Sequence, residues 1–145
     1  YQDHPLSAWY PGDSYVDWVG LSLFGHMYSP ELSKETDEVF EFARTHSKAV
    51  MIAEASPING IDKENTDVWD TWFVNLLSLA YNRNVKAISY INANWPSYPG
   101  FSSLSWKDAR LQNNQQVADA WFEETGKERY LQQSPGLYRQ LGYQQ

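Results

Sequence analysis

The stretch Ala49-Val50-Met51-Ile52-Ala53-Glu54-Ala55-Ser56-Pro57 sets one carboxylate at the end of an apolar run. Such a run reads as a buried strand, and a glutamate is rarely fully buried unless it is paired. Two readings follow. Either the strand stops at Glu54 and the acid is simply solvated, or the acid stands at the mouth of a sheet because something there needs it. No other Asp or Glu ends a strand-like run. Past the last apolar run lie Asn92, Asn94 and Trp95. The two amides can hydrogen-bond hydroxyls or simply turn the chain. The indole, followed by Pro96, is either a surface ring or a flat platform. A ring face accepts the C–H side of a sugar without burying its hydroxyls.

The totals agree with a neutral, hydroxyl-rich ligand. Seven Trp, ten Tyr and six Phe make the chain 16 % aromatic, and its net charge is −7. An acidic chain without basic clusters does not neutralise phosphates, which excludes nucleic acid as partner. The absence of cysteine removes disulfides, thiolate metal sites and a Cys nucleophile. His4, His26 and His46 show no metal spacing, no Gly-rich phosphate loop is present, and no cofactor is implied. No apolar stretch reaches the roughly 18 residues of a membrane span. The 145 residues suffice for about one domain. No signal peptide is visible, and the chain opens at Tyr1 inside a polar segment, which reads as a processed piece or fragment.

Three segments must position these residues. Strands are expected over Tyr15–Phe24, Ala49–Ala53 and Val85–Asn92, each bounded by turn residues such as Pro11-Gly12-Asp13, Ser56-Pro57 and Asn82-Arg83-Asn84. Asp17 then falls inside the first strand, turned to a helix cap or ion pair. Between the strands, Ser29-Pro30-Glu31 reads as a helix start followed by a stripe of Val39, Phe40 and Ala43. Trp69, Trp72, Phe73, Leu76, Leu77 and Ala80 form one apolar helix face, capped by Asn65 or Thr66. A third helix begins near Asn113 with Val117, Ala120 and Trp121 inward. Trp69, Trp72, Phe73 and Trp121 are assigned to the core, His46 to a helix C-terminus, and Trp106 and Arg110 to no function. The tail from Ser134 is irregular or briefly helical. Strands alternating with helices imply an α/β fold of parallel βα units. The long loop from Asn94 to Leu104 follows a strand, where function usually sits.

Three phrases together resemble a known family. Residues 9–20, WYPGDSYVDWVG, are similar to the lead into the sixth strand of family 26 glycoside hydrolases, the β-mannanase group. Residues 48–54, KAVMIAE, are similar to their seventh strand, and residues 85–92, VKAISYIN, with Trp95, to the eighth strand and its exit. The resemblance implies that residues 1–145 are the C-terminal part of a single TIM-barrel catalytic domain, the last three strands of a (β/α)8 barrel and their helices. A whole barrel takes roughly 200 residues or more. It further implies a secreted or periplasmic, endo-acting, retaining enzyme that cuts a mannan-like plant or algal polysaccharide. Glu54 would be the nucleophile. Retaining hydrolysis needs a second carboxyl group roughly 5 to 5.5 Å away. In the family that acid/base comes from the fourth strand, so the upstream half is required and the fragment alone is expected to be inactive.

The same resemblance implies substrate contacts. Trp95 becomes the platform under the sugar, with Asn92 and Asn94 beside it. Phe24 stands where the family usually has a Tyr whose hydroxyl holds the nucleophile, and His26 or Tyr28 could supply that donor. Trp9, Tyr10, Tyr98 and Phe101 become distant subsites, with loop packing as the alternative for each. Two rivals remain at this stage. One is a non-catalytic carbohydrate-binding relative that still stacks sugar on Trp95. The other is a doubly wound, flavodoxin-like domain in which Glu54 is incidental.

Overall fold

The computed structural model describes residues 4–28, 33–64 and 66–143, and leaves out the side chains of His26, Tyr28 and Ser33. The helix start expected at Ser29-Pro30-Glu31 and the cap at Asn65 lie outside the described residues. Three strands, β1 (Trp18–Leu23), β2 (Ala49–Ala55) and β3 (Ala87–Tyr90), form one parallel sheet in the order β1-β2-β3. Helix α1 (Ser33–Thr45) joins β1 to β2. A π-helical turn (Trp69–Phe73) running into α2 (Val74–Asn82) joins β2 to β3, and α3 (Gln115–Thr125) and the short α4 (Leu137–Gln140) follow. Among the described residues no helix is long and apolar enough to cross a membrane.

Strand order that follows chain order means every crossover advances the same way. Right-handed crossovers then leave the helices on one face of the sheet. Side chains two apart on a strand share a face, and β2 shows the result. Val50 packs with Phe40 and Ala43 of α1, while Ile52 joins a cluster with Trp72, Phe73 and Leu76 of the second helical segment. The opposite face carries Gly20, Met51 and Ala53, where a Cβ built on Gly20 would lie 3.4 Å from that of Ala53. A doubly wound sheet would reverse strand order at a switch point and cover both faces with helices. Among the described residues this sheet shows no such reversal.

The strands differ from expectation at their ends. β1 starts at Trp18 rather than Tyr15, because a turn closed by Tyr15 N–H donating to Gly12 O occupies the preceding residues, and Gly12 takes φ +114°. Asp17 therefore precedes the strand and is exposed. Asp13, in that turn, accepts from the Tyr10 hydroxyl and lies 2.7 Å from Nδ1 of His46 at the end of α1. β2 runs two residues past Ala53, through Glu54 to Ala55. β3 is shorter than expected, since Asn84 turns the chain at φ +56° just before it.

The apolar helix face holds, with Trp72, Phe73 and Leu76 fully buried and Trp69 and Trp121 half-buried. Each of the fully buried side chains contributes about 1.5–3 kcal/mol relative to exposure. The helix is not uniform, however. Its first turn is π-helical and buries Trp72 and Phe73, and Trp72 Nε1 donates to the Phe24 carbonyl at 2.6 Å. Asn114, next to the residue expected to open the third helix, caps α3 by accepting from Gln116 and Val117 N–H.

Two distant loops are laced together beyond the strand tips. Ile61 N–H donates to Asp108 O, and Lys107 N–H to Ile58 O. The close approach needs Gly60, at φ +73°, where an added Cβ would sit 2.6 Å from Lys107 Cβ and 2.7 Å from Asp108 O. Gly60→Ala therefore combines a left-handed backbone with a clash against main chain, and should lower the unfolding free energy by about 2 kcal/mol or more, as read by urea denaturation.

Candidate active site

Glu54 owes its position to one extra residue. β1 pairs with β2 as Leu21 with Ile52 and then Ser22 with Glu54, so β2 spends two steps where β1 spends one. β3 sees the same surplus, with Ile88 opposite Ile52 and Tyr90 opposite Ala55. Ala53 is thus a bulge against both neighbours. Plain alternation would put Glu54 on the same face as Val50 and Ile52, in the core. The bulge turns it to the open face, and Ala55 takes the buried place instead with no exposure. Bulges commonly re-aim a side chain in this way. The exposed Glu54 carboxylate accepts a hydrogen bond from Ser22 Oγ at 2.7 Å. The other two strands end in Leu23 and Tyr90, neither of them acidic.

The loop after β3 closes over the tip of β2. Trp95 Nε1 donates to Ser56 Oγ at 2.9 Å, a buried contact, and Ser56 itself has no exposure. Trp95 is only 7 % exposed. Trp106 meets it edge-on at 5.0 Å, Phe101 tilts against it at 4.6 Å, and Phe24 approaches edge-on at 6.3 Å. Phe24 also touches Trp106 at 4.9 Å. Phe24, which lacks the expected hydroxyl, is thus one wall of an aromatic cluster that holds the loop. Ser22, two residues earlier, is the donor to Glu54. The side chains of His26 and Tyr28, the donors weighed from sequence, lie outside the described residues.

The loop engages the Asn92 side-chain amide and the Asn94 backbone. Asn92 Oδ1 accepts from Leu111 N–H at 2.7 Å, and its Nδ2 donates to Gln112 Oε1. Asn94 forms an antiparallel bridge with Asp108, and its carbonyl accepts from the Ser97 N–H and hydroxyl. Tyr98 stands half out of the loop. Trp9, 68 % exposed, is not brought near this group. Its neighbour Tyr10 packs on Phe42 and His46, and Lys48 reaches the Asp13 carbonyl, so this segment lies at the start of β2. Glu54 lies at the other end of a seven-residue strand, roughly 20 Å away.

Sequence reasoning missed Ser22, Ser56, Trp106 and the Asp108–Arg110 pair. The alternation in Trp18-Val19-Gly20-Leu21-Ser22 was a usable signal for Ser22, since it puts the hydroxyl on the non-apolar face. Among the described residues no group of three or more His, Cys, Asp or Glu is placed to hold a metal ion.

No family model matches the chain. Beta-1,3-xylanase TXYA of Vibrio sp is 29 % identical over 163 aligned residues, covering 95 % of this chain and 35 % of that protein. A beta-1,3-xylanase of Alcaligenes sp is likewise 29 % identical over 163 residues, covering 95 % of this chain and 34 % of its own length. The chain thus spans about a third of the length of the curated relatives it matches. These names overturn the family 26 β-mannanase assignment made from the motifs. The matching phrases build strands, with Val19, Leu21, Val50 and Ile52 packed on the helix side. Such phrases record how a sheet packs and where it presents an acid. Ligand choice in folds of this kind lies in the loops beyond the strands.

Electrostatics fix the far side of the loop. Arg110 grips Asp108 with Nε and Nη2 at 2.7–3.1 Å, and these hydrogen bonds hold the Asp108 carboxyl below its usual range. A depressed folded-state value stabilises the fold above the unfolded-state pKa of about 3.9, and that stabilisation disappears as pH falls through the lower folded value. Asp108→Asn should therefore be less stable than the parent at pH 6, and the gap should close as urea titrations move below about pH 4.

Proposed function

We propose that this chain supplies the nucleophile half of a retaining endo-glycosidase that cleaves β-1,3-linked xylan. In this reading residues 1–145 are the last three βα units of a (β/α)8 catalytic barrel, and the acid/base comes from chain upstream of them. Glu54 attacks the anomeric carbon as the leaving oxygen takes a proton from the acid/base. A glycosyl ester forms on Glu54, and water, deprotonated by the same partner, then releases the sugar and frees the carboxylate. A polymeric substrate that does not enter the cell supports an activity outside the cytoplasm, secreted or periplasmic. No cofactor takes part.

The observation that carries this reading is the bulge that delivers one hydrogen-bonded carboxylate to the open face at the C-terminal end of a parallel sheet. In barrel enzymes that end of the strands bears the active site. The similarity to two proteins named as beta-1,3-xylanases supports the substrate. The one-directional strand order supports a barrel segment over a doubly wound domain. Trp95 buried by its neighbours favours an enzyme whose loop is fixed in place over a binding relative that uses this ring as its platform.

The chain should be expressed with the coding sequence that flanks it, and β-1,3-xylan hydrolysis followed by release of reducing ends. Glu54→Ala and Glu54→Gln should lower turnover on the order of 10³-fold or more at unchanged fold, judged by circular dichroism. Added azide should restore turnover to Glu54→Ala and give the inverted glycosyl azide. Parent-like activity in Glu54→Ala sinks the proposal.

A further inference from the structure

We propose that Ser22 is a positioning residue for Glu54, and that its hydroxyl fixes which carboxylate oxygen attacks the sugar. This rests on the assignment of Glu54 as nucleophile. A glutamate at an exposed strand end has three side-chain torsions to settle, and freezing a long polar side chain costs up to about 2 kcal/mol. An attacking oxygen must nevertheless be held close to its productive place, because small misplacements are expensive in rate.

The structure supplies one constraint. Ser22 and Glu54 are direct cross-strand partners in the register of β1 and β2. Neighbouring strands lie roughly 4.8 Å apart, so the short serine and the long glutamate meet only if the carboxylate folds toward β1. The contact is 2.7 Å, from Ser22 Oγ to Oε2. A hydroxyl donating to an ionised oxygen is among the stronger hydrogen bonds. Among the described residues Oε1 meets no donor. One oxygen is therefore tethered to a neighbouring strand, and the other is left for the substrate.

The partnership depends on the Ala53 bulge, since in plain register this sequence would set Ser22 opposite Ala53 and turn Glu54 inward. Ser22 itself is exposed and belongs to none of the apolar clusters. Its hydroxyl is therefore expendable for folding, which separates a positioning role from a structural one.

The test uses the same full-length enzyme with Ser22→Ala, Ser22→Cys and Ser22→Thr, measuring kcat and KM on β-1,3-xylooligosaccharides and Tm for each. Ser22→Ala should lower kcat on the order of 10- to 100-fold, with KM changed by less than about 2-fold. Activity should follow donor strength, with threonine close to the parent and cysteine, a weak donor, between it and alanine. Tm should stay within about 2 °C of the parent across the series. A parent-like kcat in Ser22→Ala overturns the inference. So does a loss that tracks Tm, or one that threonine does not repair. Loss of activity in Glu54→Ala with azide rescue, alongside an indifferent Ser22 series, sinks this inference alone. Full activity in Glu54→Ala sinks both it and the proposed function.

Discussion

A strand that is buried on one face obeys a period of two, and an acid can appear at its tip only by breaking that period or by sitting on the other face. Here the break is a single surplus residue in the central strand. Ala53 is out of step with β1 and with β3 at once. Ahead of it, Val50 and Ile52 pack against helices. Behind it, Ala55 resumes the buried side and lets the core close under the sheet. Glu54 lies between these two phases and so reaches solvent at the strand tip, where plain alternation would have buried it. The orientation of the carboxylate, its serine partner and the burial of the next residue all depend on this one offset.

The loops are organised to hold that end of the sheet still. A site built on strands is more exact when its supporting contacts are satisfied and packed. The tip of β2 continues into Ser56, which the Trp95 indole locks from the loop after β3. That loop is stiffened by an aromatic cluster, by both ends of the Asn92 amide, and by the fork of Arg110 on Asp108. Its return is stitched to the loop after β2 across Gly60. Residues more than forty positions apart thus form one rim around the tips of β2 and β3.

Much of this order is legible in the residues. The apolar runs mark β2 and β3, the stripe from Trp69 to Ala80 marks the second helical segment, and the alternation of strands with helices marks the parallel sheet. Strand ends are less legible, because the turn at Gly12 and the left-handed residue at Asn84 decide them locally. The bulge is not legible at all. Ala-Val-Met-Ile-Ala-Glu-Ala reads as one apolar run with an acid near its end, and only pairing with two neighbours shows the slip. Trp95 and Asn92 show the opposite problem. Their types suit sugar contact, yet the same indole N–H and amide equally suit a buried serine and a loop backbone. Composition does not choose between those partners. Motif likeness has the same boundary, since the strand phrases pointed to mannan while the relatives are named for β-1,3-xylan.

The π turn at Trp69–Phe73 has the same character as the bulge at Ala53. Each is a local widening of an otherwise regular element, the first at the helix entry that carries buried Trp72 and Phe73 and the second turning an acid outward. Both lie on the path from β2 to α2, one inside the strand and one at the entry to the helix. Substitutions near either can be absorbed by repacking. Without Ala53, the residues Ile52, Glu54 and Ala55 would fall inward, outward and inward as in a regular strand, so the surplus residue leaves their order intact and spends itself on bending and twisting the strand just before the acid.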